Sequence, residues 1–260
     1  ADIYFPNIMK LLSSCVRGVL IASEGKELAV ADLSNIEGRF AAWVSGEAWK
    51  IQAFQDFDNG TGHDLYNLAY AKAFKIEVEK VLKNQRSIGK VMELMLQYQG
   101  GVGAFVTGAL GYGFDLEKLA KDNWDTLPEE QVKEANSFYG YVIKMKMNTF
   151  NLSKEAFITC DVLKRLWRES NSNIAAMWPL LEEAIRMAIS NPGEVFEVGE
   201  FIKILRNKNW LRIRLPSGRS LCYASPRLSE RGEISYMGMN QYTRQWKRLK
   251  GYGGLFLENL

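Results

Sequence analysis

The chain has 260 residues, 47% of them hydrophobic, which allows one large domain or two modest ones with a real core. Its net charge of +3 gives only a weak electrostatic indication of an anionic partner. Cys15, Cys160 and Cys222 lie far apart, which argues against a disulfide framework or a zinc site and favours a reducing cytoplasm.

The first twenty residues contain an apolar stretch interrupted by Lys10 and Arg17, and no apolar run of membrane-spanning length occurs. We therefore expect no targeting signal and no membrane-spanning helix. The chain has no initiating Met, and the apolar pattern of residues 255–260 breaks off abruptly. We interpret the chain as a fragment of a longer protein.

The first predicted element is a strand at residues 28–31 that ends at Asp32. Ser34 and Glu37 have the spacing of a capping box, which predicts a helix directly afterwards. A carboxylate at the end of a strand is held rigidly, and such a position suits Mg²⁺. Taken alone, Asp32 is more often a turn or cap residue, and Glu37 is more often a capping partner.

Residues 56–63 are rich in Asp, Asn and Gly and predict a turn region that separates this unit from a helical middle. Apolar residues then recur at helical spacing over residues 64–110 and 115–189, with breaks near Pro128, Asn151 and residues 170–173. His63 and Asp64 form the only His-Asp pair, and we interpret them as loop residues.

Arg86, Lys90, Leu94 and Tyr98 follow one another at intervals of four residues within this helical middle. On a helix they lie along one slowly winding face. An arginine and a lysine one turn apart suit a triphosphate, because Arg binds phosphate with two hydrogen bonds and Lys acts as a point charge. A solvated basic helix is the alternative.

The pattern changes after residues 191–193. Apolar residues alternate with Arg212 and Arg214, and a Pro-Ser-Gly turn follows before residues 220–224. This predicts a hairpin with one basic face. The glycine-rich stretches at 100–103 and 108–113 have no phosphate-loop order and are interpreted as helix ends and turns.

Two patterns in this order resemble the signatures of family A DNA polymerases. The first signature, Asp-x-Ser-x-Ile-Glu-x-Arg, is intact at residues 32–39. The second, Arg-x3-Lys-x3-Phe/Tyr-x3-Tyr-Gly, lies at residues 86–99, with Leu94 at the aromatic position and Gln99 at the glycine position. Tyr66 stands where cellular relatives often have His. Residues 215–219 and 252–259 look like the bacteriophage and prophage branch in particular.

The resemblance implies an α+β, mostly helical fold with the right-hand architecture of polymerases, helical fingers and an incomplete antiparallel palm sheet. It implies a first part of the palm at residues 1–60 and fingers at 61–170, with the second signature near 86–99. The rest of the palm would occupy residues 171–260, truncated before the motif that carries the second catalytic Asp.

The implied activity is template-directed DNA synthesis, in which a nucleotidyl group passes from a deoxynucleoside triphosphate to a primer 3′-hydroxyl with two Mg²⁺ ions. Asp32 and the Leu33 carbonyl would hold metal. Arg86 and Lys90 would neutralise the triphosphate, and Lys90 would protonate pyrophosphate, while Glu37 would crowd the 2′ position of the sugar. The remaining implied nucleotide-binding residues are Tyr66, Leu94 and Tyr98, and the implied DNA-binding residues are Arg39, Arg212, Arg214 and Arg219.

The implied partners are primer-template DNA, deoxynucleoside triphosphates and the remainder of the same polymerase, which would supply the thumb and the second catalytic Asp. We expect no membrane partner, a location in the bacterial host cytoplasm, and no polymerase activity of the chain alone.

Two alternatives remain open. A non-catalytic nucleic-acid-binding module would explain the basic C-terminal third, made of Arg212, Arg214, Arg219, Arg227, Arg231, Arg244, Lys247 and Arg248. It would not explain residues 32–39. A single-subunit RNA polymerase is the second alternative, and Glu37 argues against it, because that sugar-crowding carboxylate is by resemblance a DNA-polymerase feature.

Overall fold

The structure, a computed structural model, describes residues 8–260, and of Met9 and Lys10 it describes the backbone alone. The first seven residues of the apolar start, and the Lys10 side chain, therefore lie outside the described part. The chain divides into two units, one ending at Ile36 and one formed by Glu37–Leu260.

The first unit contains helix α1 (Ile8–Cys15), a 3₁₀ turn (Val16–Val19) and an irregular stretch. The prediction of a strand at residues 28–31 is wrong. A strand is stabilised by backbone pairing with a neighbour, and none of the strands in residues 8–260 pairs with this stretch. Helix α2 (Ile36–Ser45) begins one residue later than a Ser34 cap predicts, after Asn35, which has a φ of 50°.

The second unit is helical as far as residue 190, as predicted. The breaks predicted near Pro128, Asn151 and residues 170–173 are confirmed as the boundaries of the last three long helices. Two 3₁₀ turns, Val78–Lys80 and Trp124–Thr126, lie between helices. The remaining helices are α3 (Ala48–Asp58), α4 (Leu65–Phe74), α5 (Lys83–Leu96), α6 (Val102–Gly111), α7 (Leu116–Asn123), α8 (Glu129–Lys144), α9 (Lys154–Ser170), α10 (Ser172–Ser190) and α11 (Gly253–Asn259).

Between α10 and α11 the chain forms a six-stranded sheet in which each strand pairs antiparallel with the next. The predicted hairpin is confirmed as β3 and β4, and the other strands were not predicted. The strands are β1 (Val195–Val198), β2 (Ile202–Asn207), β3 (Trp210–Arg214), β4 (Ser220–Leu228), β5 (Ile234–Met239) and β6 (Trp246–Gly251). The mostly helical α+β class with an antiparallel sheet is therefore confirmed.

One face of the sheet packs on α10. Alternate side chains along each strand point to this face. The buried side chains of this face are Val198, Ile202, Ile204, Leu211, Ile213, Tyr223 and Ile234.

Helix α11 docks through two glycines. A Cβ at Gly253 would lie 2.1 Å from the Trp178 carbonyl oxygen, and one at Gly254 would lie 2.1 Å from the Tyr98 carbonyl oxygen. The Gly254 N–H also donates to Gln99 Oε1 at 2.9 Å. The pair of glycines thus brings the chain after β6 into backbone contact with α10 and with the turn after α5.

A buried ion pair connects three helices. The Lys50 ammonium on α3 lies 2.6 Å from Glu93 Oε2 on α5, and their side chains are 0% and 2% exposed. Trp167 on α9 donates its indole N–H to the other Glu93 oxygen at 2.8 Å, and its ring lies 5.2 Å from the Lys50 ammonium. Both carboxylate oxygens are therefore hydrogen-bonded, which offsets the cost of removing the two charges from water.

The start of α10 is held by a second buried carboxylate. Glu47 Oε2 accepts hydrogen bonds from the backbone N–H groups of Asn173 at 2.9 Å and Ile174 at 3.3 Å. A carboxylate at a helix N-terminus satisfies unpaired N–H groups and interacts favourably with the helix dipole.

No helix in the described part of the chain is both long and apolar enough to cross a membrane.

We predict that Glu93→Gln lowers the free energy of unfolding by about 3–5 kcal/mol, because it leaves the Lys50 charge buried without a counter-ion. Denaturant unfolding of the chain measures this change. Glu129→Gln is the matched control, since Glu129 is 91% exposed beside Lys133 and its loss should change stability little. Equal effects of the two substitutions would contradict the role given to the buried pair.

Candidate nucleotide and nucleic-acid site

Helix α5 carries the predicted cationic face. Arg86, Lys90 and Leu94 are all partly exposed along it, and Tyr98 follows in the turn after the last helical residue, Leu96. The prediction that these residues share a helix is confirmed for the first three, whereas Tyr98 lies just beyond the helix.

Close packing brings Tyr66 to this face. A Cβ at Gly89 of α5 would lie 2.1 Å from the Tyr66 carbonyl oxygen on α4, so only glycine allows the two helices to approach this closely. The Tyr66 ring consequently lies 5.3 Å from the Arg86 guanidinium carbon and 5.9 Å from the Lys90 ammonium.

Asp64 fixes the guanidinium of Arg86. Arg86 Nε and Nη2 donate to the two Asp64 oxygens, each at 3.1 Å. Asp64 also caps the N-terminus of α4, where Oδ1 accepts from the backbone N–H groups of Tyr66 at 3.0 Å and Asn67 at 3.4 Å. The loop interpretation of His63 and Asp64 is consistent with this position just before α4. A guanidinium has five N–H donors, so Arg86 is oriented by Asp64 and keeps donors for an anion.

Lys90 is placed between aromatic groups. Its ammonium lies 4.7 Å from the centre of the Tyr112 ring, which follows α6, in addition to the ring of Tyr66. Burial raises the pKa of the Tyr66 phenol above its ordinary value, with smaller effects from Asp64, Glu93 and Tyr112. Tyr66 therefore remains a neutral hydroxyl donor at neutral pH, beside two cations.

Glu37 and Tyr98 belong to a second cluster. Burial raises the pKa of the Tyr98 phenol far above its ordinary value, and the carboxylates of Glu37 and Glu258 raise it further. The pKa of Glu258 is itself raised, first by burial and then by Glu37. The first signature, the end of the second signature and α11 thus contribute side chains to one region of the second unit.

Arg39 is engaged within the protein. Its guanidinium donates to both Asp58 oxygens at 2.6 and 2.7 Å, and it lies 4.5 Å over the ring of Phe54. The predicted contact of Arg39 with DNA stays a prediction.

The basic face of the hairpin is exposed. Arg212 and Arg214 alternate along β3 with the buried Leu211 and Ile213, and Arg219 follows the turn between β3 and β4. The sheet face opposite α10 therefore presents guanidinium groups to solvent. The other basic residues predicted for this third of the chain are also exposed, namely Arg227, Arg231, Arg244, Lys247 and Arg248.

Asp32 and Leu33 are exposed in the irregular stretch of the first unit. Among the side chains that the structure describes, no three His, Cys, Asp or Glu residues are grouped closely enough to hold a metal ion. Mg²⁺ normally combines one or two carboxylates with substrate phosphates and water.

Four residues of this region were not predicted as parts of it. Lys50, Glu93 and Asp64 orient the cationic face, and Tyr112 contacts it. No spacing rule links these positions to Arg86 and Lys90, except that Glu93 is one turn after Lys90 on the same helix.

A cationic face on a helix, phenol donors beside it and a basic sheet are typical of proteins that bind nucleotides and nucleic acids. No protein-family model matches this chain. Over its whole length the chain is 31% identical to a DNA polymerase of Bacillus phage SP02, of which it spans 34%. It is 33% identical over 109 residues to DNA polymerase I of Chloroflexus aurantiacus, which covers 42% of the chain and 11% of that protein.

A third relative is DNA polymerase I of Aquifex aeolicus, 24% identical over 164 residues, which covers 56% of the chain and 28% of that protein. The chain thus spans about a third or less of the polymerases to which it is similar. The resemblance to family A DNA polymerases of the phage branch is confirmed by these matches.

We predict that Gly89→Ala lowers the free energy of unfolding by about 1–3 kcal/mol, because its Cβ would overlap the Tyr66 carbonyl. Gly140→Ala in α8 is the matched control, since nothing lies within 4 Å of a Cβ there. That change should stabilise the chain by about 0.5–1 kcal/mol. Thermal or denaturant unfolding distinguishes the two, and stabilisation by Gly89→Ala would refute the close helix contact.

Proposed function

We propose that this chain is the part of a DNA-directed DNA polymerase that binds the incoming deoxynucleoside triphosphate and positions DNA. The observation that carries the proposal is the pair of partly exposed cations on α5, Arg86 and Lys90, one turn apart and beside the ring of Tyr66. The match of the whole chain to about a third of a phage DNA polymerase supports the same assignment.

The triphosphate would bind along α5. Arg86, oriented by Asp64, would donate its remaining N–H groups to phosphate oxygens, and Lys90 would place a compact charge one turn further along. Because both cations stand on a helix anchored in the core, they would be ordered before the nucleotide arrives. Charges fixed in advance where negative charge develops stabilise the transition state of phosphoryl transfer.

Lys90 has a second role in this proposal. As the bond to the leaving pyrophosphate breaks, an ammonium beside it would donate a proton to the departing oxygen. Glu37, near Tyr98, would crowd the 2′ position of the sugar and so favour deoxynucleotides. Leu94 and Tyr98, at the end of the same face, would lie against the base pair being formed.

Asp32 and the carbonyl of Leu33 would contribute to Mg²⁺ binding, together with substrate phosphates and a second Asp from the remainder of the polymerase. Bound Mg²⁺ would activate the primer 3′-hydroxyl and stabilise the leaving pyrophosphate. We propose that the chain alone does not extend a primer, because Asp32 would be one of the two carboxylates that this site requires.

The exposed face of the sheet would hold duplex DNA. Arg212, Arg214 and Arg219 present guanidinium groups suited to phosphates, and phosphate contacts fix position without reading sequence. In the right-hand architecture that we propose, residues 61–170 are the fingers, and the flanking segments 1–60 and 171–260 belong to the palm. Arg39 would contact DNA from the first palm segment.

We predict that Lys90→Ala, in a polymerase that contains this chain, lowers the rate of nucleotide incorporation about 10²- to 10³-fold, because a preorganised charge at the transition state is lost. Primer-template affinity should stay within experimental error. Rapid-quench measurement of single-nucleotide incorporation tests this.

Lys133→Ala, at a 79% exposed lysine on α8, is the control for this measurement and should incorporate at the parental rate. If the Lys90→Ala enzyme incorporates nucleotides as fast as the parent, Lys90 does not have the proposed role.

We further predict that reversing the charge of Arg212 and Arg214 weakens DNA binding to a similar degree on templates of different sequence. The salt dependence should flatten by about one unit of slope for each lost phosphate contact. Titrations at several salt concentrations measure both effects. Charge reversal at Lys118 and Lys133, on α7 and α8, controls for net charge, and a loss confined to particular sequences would instead indicate base readout.

A further inference from the structure

Tyr112 occupies an unusual position after α6. Its backbone N–H donates to the carbonyls of Gly108 at 3.0 Å and Ala109 at 3.1 Å, and Gly113 follows with a φ of 77°. The backbone is therefore held in a tight turn. The side chain, by contrast, is 49% exposed and does not pack into the apolar core.

The ring of Tyr112 contacts a cation instead of the core. The Lys90 ammonium lies 4.7 Å from the ring centre, within the range in which a cation is attracted to the face of an aromatic ring. Tyr66, on a different helix, approaches the same ammonium at 5.9 Å. Two rings from two elements thus limit the positions that the flexible Lys90 side chain adopts.

We infer that Tyr112 is a positioning residue of the nucleotide site, which holds the Lys90 ammonium at the place where it meets the triphosphate. This inference rests on the proposed function, because it assumes that Lys90 binds phosphate. A lysine has four rotatable side-chain bonds, and binding an anion restricts them. A ring that restricts the ammonium beforehand lowers that cost.

The inference assigns the effect to the aromatic ring and not to the hydroxyl. Phe keeps the ring face and removes the hydroxyl, whereas Leu keeps an apolar side chain and removes the ring. Because the side chain is half-exposed, neither substitution should disturb folding, and unchanged thermal unfolding of each variant verifies this.

The experiment is calorimetric titration of the 260-residue chain with inorganic tripolyphosphate, which carries the phosphates without sugar or base. Tyr112→Leu should raise the dissociation constant about 2- to 5-fold, the range that an exposed cation–π contact corresponds to. Tyr112→Phe should stay within the error of the parent. Tyr141→Leu, which replaces a 52% exposed tyrosine on α8, is the control and should have no effect.

A double-mutant cycle with Lys90→Met separates positioning from a direct contact. If Tyr112 acts through Lys90, Tyr112→Leu should have no further effect in the Lys90→Met background. An equal effect in both backgrounds, or a loss in the Phe variant as large as in the Leu variant, would overturn the inference.

The same titrations distinguish failure of the inference from failure of the proposed function. Weaker binding by Lys90→Met with unchanged binding by Tyr112→Leu would overturn the role of Tyr112 and leave the proposed triphosphate site standing. Unchanged binding by Lys90→Met would overturn both.

Discussion

The buried contact among Lys50, Glu93 and Trp167 is the constraint on which the candidate site depends. Glu93 belongs to α5 one turn after Lys90, and its two oxygens tie that helix to α3 and α9. A carboxylate buried in this way is tolerated only while both partners are present, because an unpaired charge in the core is strongly unfavourable. The position of Arg86 and Lys90 is therefore determined by a contact in the core, away from any ligand.

Further contacts near this buried ion pair hold the two cations in place and leave them partly exposed. Gly89 lets α4 approach α5 closely, Asp64 at the start of α4 orients Arg86, and Tyr66 and Tyr112 flank Lys90. The contacts of Asp64, Tyr66 and Tyr112 limit the motion of Arg86 and Lys90, and both cations remain partly exposed. Preorganised charge of this kind is what binding and transfer of a phosphoryl group require. The glycine pair at the start of α11 joins Gln99, at the end of the second signature, to the C-terminal helix.

Local patterns predicted the parts of this arrangement that local chemistry determines. Helical spacing placed Arg86, Lys90 and Leu94 on one face of α5, and alternation with a Pro-Ser-Gly turn predicted β3 and β4. The strand at residues 28–31 was predicted from an apolar run, but a run cannot reveal whether a pairing partner exists. The ion pair between Lys50 and Glu93, and the contact of Tyr112 with Lys90, join positions distant in sequence, so no periodicity indicates them. The resemblance to the two signatures identified the candidate residues. The residues that hold them in place were identified only from the structure.

The most direct measurement of the central claim is a crystal structure of a polymerase containing this chain, bound to primer-template DNA and an incoming deoxynucleotide. The account predicts phosphate oxygens within about 3 Å of Arg86 and Lys90 nitrogens, the distance of a charge-assisted hydrogen bond. It also predicts that the Lys50–Glu93 pair remains intact. A triphosphate bound elsewhere, without contact to Arg86 or Lys90, would contradict the account.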